Sequence, residues 1–178
     1  MDKSFRVTFW GVRGGYPVPG PSTCAVGGNT TCLEVRVGSH LVILDAGTGI
    51  IGLGEHLLAE RQATGRPIIA TLLFTHTHHD HTQGLPFFAP SFLGDTVLYI
   101  FGPKMFQQDL EDVLNRAMLP PVSPIGLEVL HCQRTVRNVS ERDMIILTQR
   151  SRPPRVVNVH QEGDDVAPWA VRIRILHS

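Results

Sequence analysis

The sequence predicts a layered α/β domain, and three observations carry that expectation. Strand-type patterns alternate with two helical ones along the chain. Thr31 to Leu44 reads as an antiparallel hairpin. Ile68 to Phe74 is a nearly continuous apolar run, which suits a strand covered on both faces.

The elements follow in order. Phe5 to Trp10 is the first strand signal. From Gly11 to Asn29 so many glycines and prolines intervene that no regular element fits, and a loop of that length in a compact domain is usually functional or disordered. Thr31 to Val37 then alternates, with Leu33, Val35 and Val37 on one face and Cys32, Glu34 and Arg36 on the other. Gly38-Ser39 matches a two-residue turn, and His40 to Leu44 returns as the partner strand. A helix is expected over Ile51 to Arg61, stopping before Gly65 and Pro67. After the strand at Ile68 to Phe74 comes another at Thr96 to Phe101. Met105, Leu110, Val113, Leu114 and Ala117 recur at helical spacing, so Met105 to Met118 is the second helix. Past Pro120-Pro121 four strands are expected: Leu127 to His131, Met144 to Leu147, Val156 to His160 and Val171 to Leu176.

Composition bounds the function. The 178 residues carry 16 basic and 16 acidic side chains, with 42% apolar and 18% charged, the profile of a soluble globular protein forming one domain over residues 1–178. The balanced charge argues against a protein that coats nucleic acid. No run approaches the roughly 18 apolar residues of a membrane span, and the N-terminus lacks a signal-peptide pattern. Three cysteines at irregular spacing make no disulfide framework, and Cys32 reads as a buried thiol in a strand. A reducing, cytoplasmic compartment is the expectation.

One motif dominates the chemistry. His76-x-His78-x-Asp80-His81 follows directly on the buried strand, so three imidazoles and a carboxylate project from one loop at the end of the sheet. Neutral imidazole and carboxylate are the donors that zinc and other borderline divalent ions prefer. Alternating positions turn two imidazoles the same way, and Asp80-His81 is placed to serve a second ion. A solvated polar loop would gain little from such clustering, because the protonated imidazoles repel one another.

The order Leu44-Asp45-Ala46-Gly47, then His76-x-His78-x-Asp80-His81, resembles the metallo-β-lactamase-fold superfamily. Trp10-Gly11-Val12-Arg13-Gly14 and Gly27-Gly28-Asn29-Thr30 resemble its phosphodiesterase branch, which includes ribonuclease Z-like and PhnP-like proteins. The resemblance implies an αββα sandwich, here incomplete in its C-terminal half, with two divalent metal ions at one edge. Zinc is the first expectation, with manganese or iron as alternatives. His76 and His78 would hold one ion, Asp80 and His81 the other, with Asp45 in support and His79 a spacer. The implied reaction is hydrolysis of a small phosphodiester, such as a cyclic nucleotide or an RNA-like substrate, by a hydroxide bridging ions about 3.5–4 Å apart. Asp80 would orient that hydroxide. Arg13 and Asn29, in the glycine-rich loop, are candidates for contacting the substrate phosphate. Alternatives are a thioester, lactone or lactam hydrolase on the same fold, or a non-catalytic metal-binding fragment or interaction domain.

Members of the superfamily complete the metal site from their second half. The later candidates here are His131, His160, Asp164, Asp165 and His177, of which His160 and His177 are the possible metal ligands. Asp164-Asp165 beside Gly163 reads as a turn. Val171, Ile173 and Ile175 alternate with Arg172 and Arg174, so the last strand offers an edge for another chain, and a homo-oligomer is expected. Residues 133 to 155 carry Arg134, Arg137, Arg142, Arg150, Arg152 and Arg155 against Glu141 and Asp143. That segment reads either as a basic surface for a phosphodiester or, preferably, as a solvated connection around Pro153-Pro154.

Overall fold

Nine strands and three helices build the computed structural model, which describes residues 4–119, 126–160 and 166–176. β1 (Phe5–Gly11), β2 (Cys32–Val37) and β3 (His40–Leu44) run antiparallel to one another. β4 (Ile69–Leu73), β5 (Val97–Gly102) and β6 (Gln133–Asn138) add to β3 in parallel, giving a six-stranded sheet in chain order. α1 (Gly49–Thr64) crosses from β3 to β4, the one-turn α2 (His79–Thr82) follows β4, and α3 (Leu110–Ala117) crosses from β5 to β6. A second sheet has the order β8-β7-β9, from β7 (Asp143–Leu147), β8 (Arg155–Asn158) and β9 (Val171–Arg174).

The layers are helices, large sheet, small sheet. Ile43, Leu72, Leu98, Ile50, Leu53 and Leu114 fill the helix side. Val42, Leu73, Phe101, Ile145 and Leu147 fill the space between the sheets. β4 contributes Leu72 to one core and Leu73 to the other, as a run apolar on both faces requires. Among the described residues no helix covers the outer face of the small sheet, so the expected sandwich is present without its fourth layer.

Four expectations are corrected. Leu127 to His131 is not a strand; Leu127–Val129 is a single 3-10 turn. The strand instead lies at Gln133–Asn138, inside the arginine-rich segment. It is an edge strand whose alternation is polar, with only Val136 packed against the core, so it carries almost no hydrophobic period. The second helix starts at Leu110 and not Met105, because Phe106 and Gln107 turn through positive φ (46° and 62°). The side chain of Asn138 receives the Leu110 N–H at 2.9 Å and donates to Asp109 at 2.7 Å, supplying the helix start from another element. The strands at the end of the chain are shorter than expected, closing at Asn158 and Arg174. Asp164, Asp165 and His177 lie outside the described residues.

Alternation in β2 is real, but its polar face is the buried one. Cys32 and Glu34 are 0% and 2% exposed against the helix layer. Glu34 accepts a hydrogen bond from Trp10 Nε1 at 2.9 Å and pairs with Arg36, which in turn clamps Glu60 of α1 through two N–H groups at 2.9 and 2.6 Å. A buried carboxylate is tolerable only when so paired. All three cysteines are free, and burial pushes the Cys32 thiol far up, so it stays protonated and inert.

Candidate metal centre

The donors gather where β3 and β4 end side by side. Leu44 pairs with Leu73, and the Asp45 N–H donates to Leu73 O at 2.8 Å, so Asp45 and Thr75 leave the sheet as neighbours. Ligand sites of parallel sheets form at this carboxyl edge. Asp45 sits at φ 62°, a left-handed conformation that Asp tolerates better than most residues. That turn points its carboxylate, only 2% exposed, back at the motif.

Three groups converge on Asp45. Its Oδ1 accepts the Thr75 backbone N–H at 2.8 Å, and its Oδ2 accepts the Thr75 hydroxyl at 2.9 Å and His81 Nδ1 at 2.9 Å. Since a carboxylate only accepts, His81 carries its proton on Nδ1, and its Nε2 lone pair faces outward. Thr75 repeats the device one step along. Its hydroxyl, already donating to Asp45, lies 3.0 Å from His76 Nδ1 and accepts from it, which leaves His76 Nε2 unprotonated and within hydrogen-bond distance of His78 Nδ1. Partial burial and the neighbouring His81 and His78 hold His76 below the ordinary imidazole range, favouring the neutral, ligating form.

Asp80 sits on α2. Its Oδ2 accepts the Gly15 N–H at 2.7 Å, and that bond, first among several causes, holds its carboxyl below the usual range. The glycine-rich loop is thereby tied to the motif. Two close backbone approaches fix α2 against β3. A Cβ on Gly47 would fall 2.4 Å from Asp80 O, and one on Gly84 would fall 2.1 Å from Gly47 O, so only glycine fits at either place.

The donor set fits divalent cations in type. Two nitrogens or oxygens on one tetrahedral zinc stand about 3.3 Å apart. His76 Nε2 and His78 Nδ1 are 3.1 Å apart, and His81 Nε2 and Asp80 Oδ2 are 3.5 Å apart. The His76 ring centroid lies 4.5 Å from that of His78 and 4.0 Å from that of His81, so the two pairs adjoin. Among the described residues no three His, Cys, Asp or Glu side chains surround a common point. The centre is two adjoining pairs of donors.

Of the other expected residues, Arg13 and Asn29 lie together, with the Arg13 N–H donating to Asn29 O at 3.0 Å. Asn29 also accepts from the Thr48 hydroxyl at 3.2 Å, while Arg13 is exposed. His160 is exposed beyond β8, its N–H bonded to Asn158 Oδ1 at 2.9 Å, without a bond or ring contact to the cluster. Exposed His131 precedes β6 and is likewise apart. Sequence reasoning passed over Thr75 and Gly15. The signal for Thr75 was a hydroxyl residue between a buried strand and its first histidine; nothing in the sequence singles out Gly15 from its neighbours. Beside His76 opens a cleft of about 800 Å³, lined by Leu44, Leu73, Phe101, Val139, Ile173 and Ile175 and flanked by Lys104 and Glu141.

Comparison with known proteins places the chain in a family. Residues 40–172 match the model of the beta-lactamase superfamily domain. Among solved structures, the metallo-beta-lactamase fold protein YhfI from Bacillus subtilis is 17% identical with a TM-score of 0.50, over 80% of this chain and 51% of that one. A diphosphatase from the PhnP family is 17% identical with a TM-score of 0.49, over 79% and 53%. The short form of human tRNase Z is 24% identical with a TM-score of 0.46, over 74% and 44%. The chain thus spans about half the length of these structures. No curated protein matches it. No helix among the described residues is long and apolar enough to cross a membrane. With the family model matched across most of the sequence, the chain belongs to the metallo-β-lactamase-fold superfamily.

Proposed function

We propose that this chain carries the metal-binding part of a metal-dependent hydrolase acting on a phosphodiester, a cyclic nucleotide or an RNA-like strand. The observation that carries the reading is the Asp45 carboxylate, which orients His81 directly and His76 through Thr75 while two donor pairs stand at 3.1 and 3.5 Å. His76 and His78 hold one divalent cation, and Asp80 and His81 hold a second, zinc first and manganese or iron as alternatives. When bound, the cations supply Lewis acidity toward a phosphoryl oxygen and lower the pKa of water. The residues of the chain do the rest. Asp45 and Thr75 fix the tautomers that present Nε2 on His81 and His76. The Gly15 N–H keeps Asp80 ionised, and Asp80 orients the attacking water. Arg13, held exposed beside Asn29, pairs with a substrate phosphate. Resemblance of the Trp10–Gly14 and Gly27–Thr30 segments supports the phosphodiester over a thioester or lactone, and the contact of that loop with Asp80 adds to it.

Metal analysis and a paired assay test the reading. Wild type binds divalent metal and cleaves bis-p-nitrophenyl phosphate, while His76→Ala and Asp80→Ala lose both. Asp45→Asn keeps the fold and weakens metal affinity by about 10–100-fold, the effect of removing an orienting partner. Unchanged metal content in His76→Ala and Asp80→Ala overturns the site, and hydrolysis of a thioester alone overturns the substrate class. A second reading, a metal-binding domain without turnover, is favoured by the count of two donors per ion where catalytic zinc has three protein ligands. Weak metal binding without hydrolysis of either substrate selects it. β9 is an edge of the small sheet, so the proposal includes self-association through it, in a reducing cytoplasmic compartment that suits three free cysteines. A monodisperse monomer at micromolar concentration in light scattering removes that part.

A further inference from the structure

The opposite end of the large sheet holds a small polar cavity. β3 starts beside it, with Ser39 and Leu41 in its lining, and reaches the metal centre just beyond Leu44, so the two sites lie toward opposite ends of that strand. The cavity measures about 60 Å³, and its polar lining includes Arg36, Ser39, Glu60, Arg61, Arg66 and Arg150. These come from β2, the β2–β3 turn, α1, the segment before β4 and the segment after β7, so residues distant in sequence converge on it.

The four guanidinium groups are not equally committed. Arg36 is held by Glu34 and Glu60, and Arg61 by Asp95 at 2.7 Å. Among the described residues Arg66 and Arg150 make no ion pair; Arg150 donates through one terminal nitrogen to Pro67 O at 2.9 Å. Arg150 Nε is buried and has no hydrogen-bond partner. A buried N–H on a cation without an acceptor is costly, and an anion held against the same guanidinium would offset that cost through its charge. Glu60 feels the charge of Arg150 but accepts its hydrogen bonds from Arg36, and among the described residues it makes none to Arg150. The volume holds about four to six waters at 10–15 Å³ each, room for a small ion with four oxygens. Planar guanidinium forks suit such an ion better than a point charge does.

We propose that the cavity bounded by Arg36, Arg61, Arg66 and Arg150 is a binding site for a phosphate-type oxyanion, either free orthophosphate or the phosphate of a mononucleotide. Arg66 and Arg150 are its anchors, and Arg36, already neutralised, shapes the wall. The site is independent of the metal centre and of the reaction assigned to it.

Thermal unfolding and isothermal titration of the metal-free chain test it, with orthophosphate set against sodium chloride at equal ionic strength. Orthophosphate raises Tm saturably in the millimolar range and chloride does not. Arg66→Gln and Arg150→Gln each weaken the apparent affinity about tenfold, the loss of one charge-assisted hydrogen bond. Arg66 is exposed, so its variant keeps the test valid if Arg150→Gln fails to fold. His76→Ala responds as wild type does. An equal response to AMP supports a mononucleotide phosphate as the ligand, and a response to orthophosphate alone supports the free ion. Equal stabilisation by chloride, wild-type titration of both arginine variants, or loss of the response in His76→Ala overturns the proposal.

Discussion

On the helix side of the six-stranded sheet Cys32, Ile43 and Leu72 are sealed at 0% exposure, whereas on the other side Phe5 and Phe9 of β1 stand 69% and 66% exposed. The same strands serve both sides. β1 pairs with β2 so that Phe5, Val7 and Phe9 share a face with Val37, Val35 and Leu33, and the small sheet reaches only part of that face. Glu34 is buried and Phe9 is exposed within two paired strands. The difference teaches that burial here is decided by how far the neighbouring layer extends, not by the hydropathy of the residue. A carboxylate can be carried inside by Trp10, Arg36 and Glu60, while a phenyl ring is left outside for want of a cover.

Truncation on each side sharpens this contrast most. Leu72→Ala is expected to cost about 2–5 kcal/mol by urea unfolding, as a fully buried leucine does. Phe9→Ala is expected to stay within about 0.5 kcal/mol. Equal losses at the two positions would break the comparison. Next in size is Glu34→Ala, which leaves Trp10 Nε1 without its acceptor and Arg36 with Glu60 alone. A loss of about 1–3 kcal/mol is expected in the same measurement, and no loss would mean that the buried pair contributes nothing. The smallest effect is one of pH. Burial, with a contribution from Arg150, holds His40 below the usual imidazole value of 6.5. The unfolded chain therefore binds the proton more readily, and the His40 contribution to stability is complete above pH 6.5 and is lost as pH falls through the depressed folded value. His40→Gln flattens that part of the stability profile; an unchanged profile argues against the assignment.

Local patterns were legible in the sequence. The hairpin from Cys32 to Leu44, the doubly covered β4 and the histidine motif at its end are each encoded by residues within a few positions of one another. Missed features depend on distant neighbours. β6 is a strand because β5 offers it a parallel edge, and its own residues, Gln133 to Asn138, carry too little apolar character to announce it. α3 starts late because Phe106 and Gln107 turn left-handed, which apolar spacing cannot register. At the metal centre the motif named four donors, but the link from Asp45 through Thr75 to His76 needs a backbone turn that residue types alone do not reveal. The partners that bury Glu34 are equally distant, Trp10 in β1 and, through Arg36, Glu60 in α1.

The position of Asp45 has a consequence for how the centre comes into being. Its backbone N–H closes the register between β3 and β4, and its side chain aligns two imidazoles. Zipping the strands together and aiming the rings are therefore one event, and the entropy of arranging the ligands is spent during folding. Under the proposed function, an ion taken up there would meet rings already pointed, and its uptake would be governed by the shedding of its own hydration water, with no rearrangement of the polypeptide to wait for.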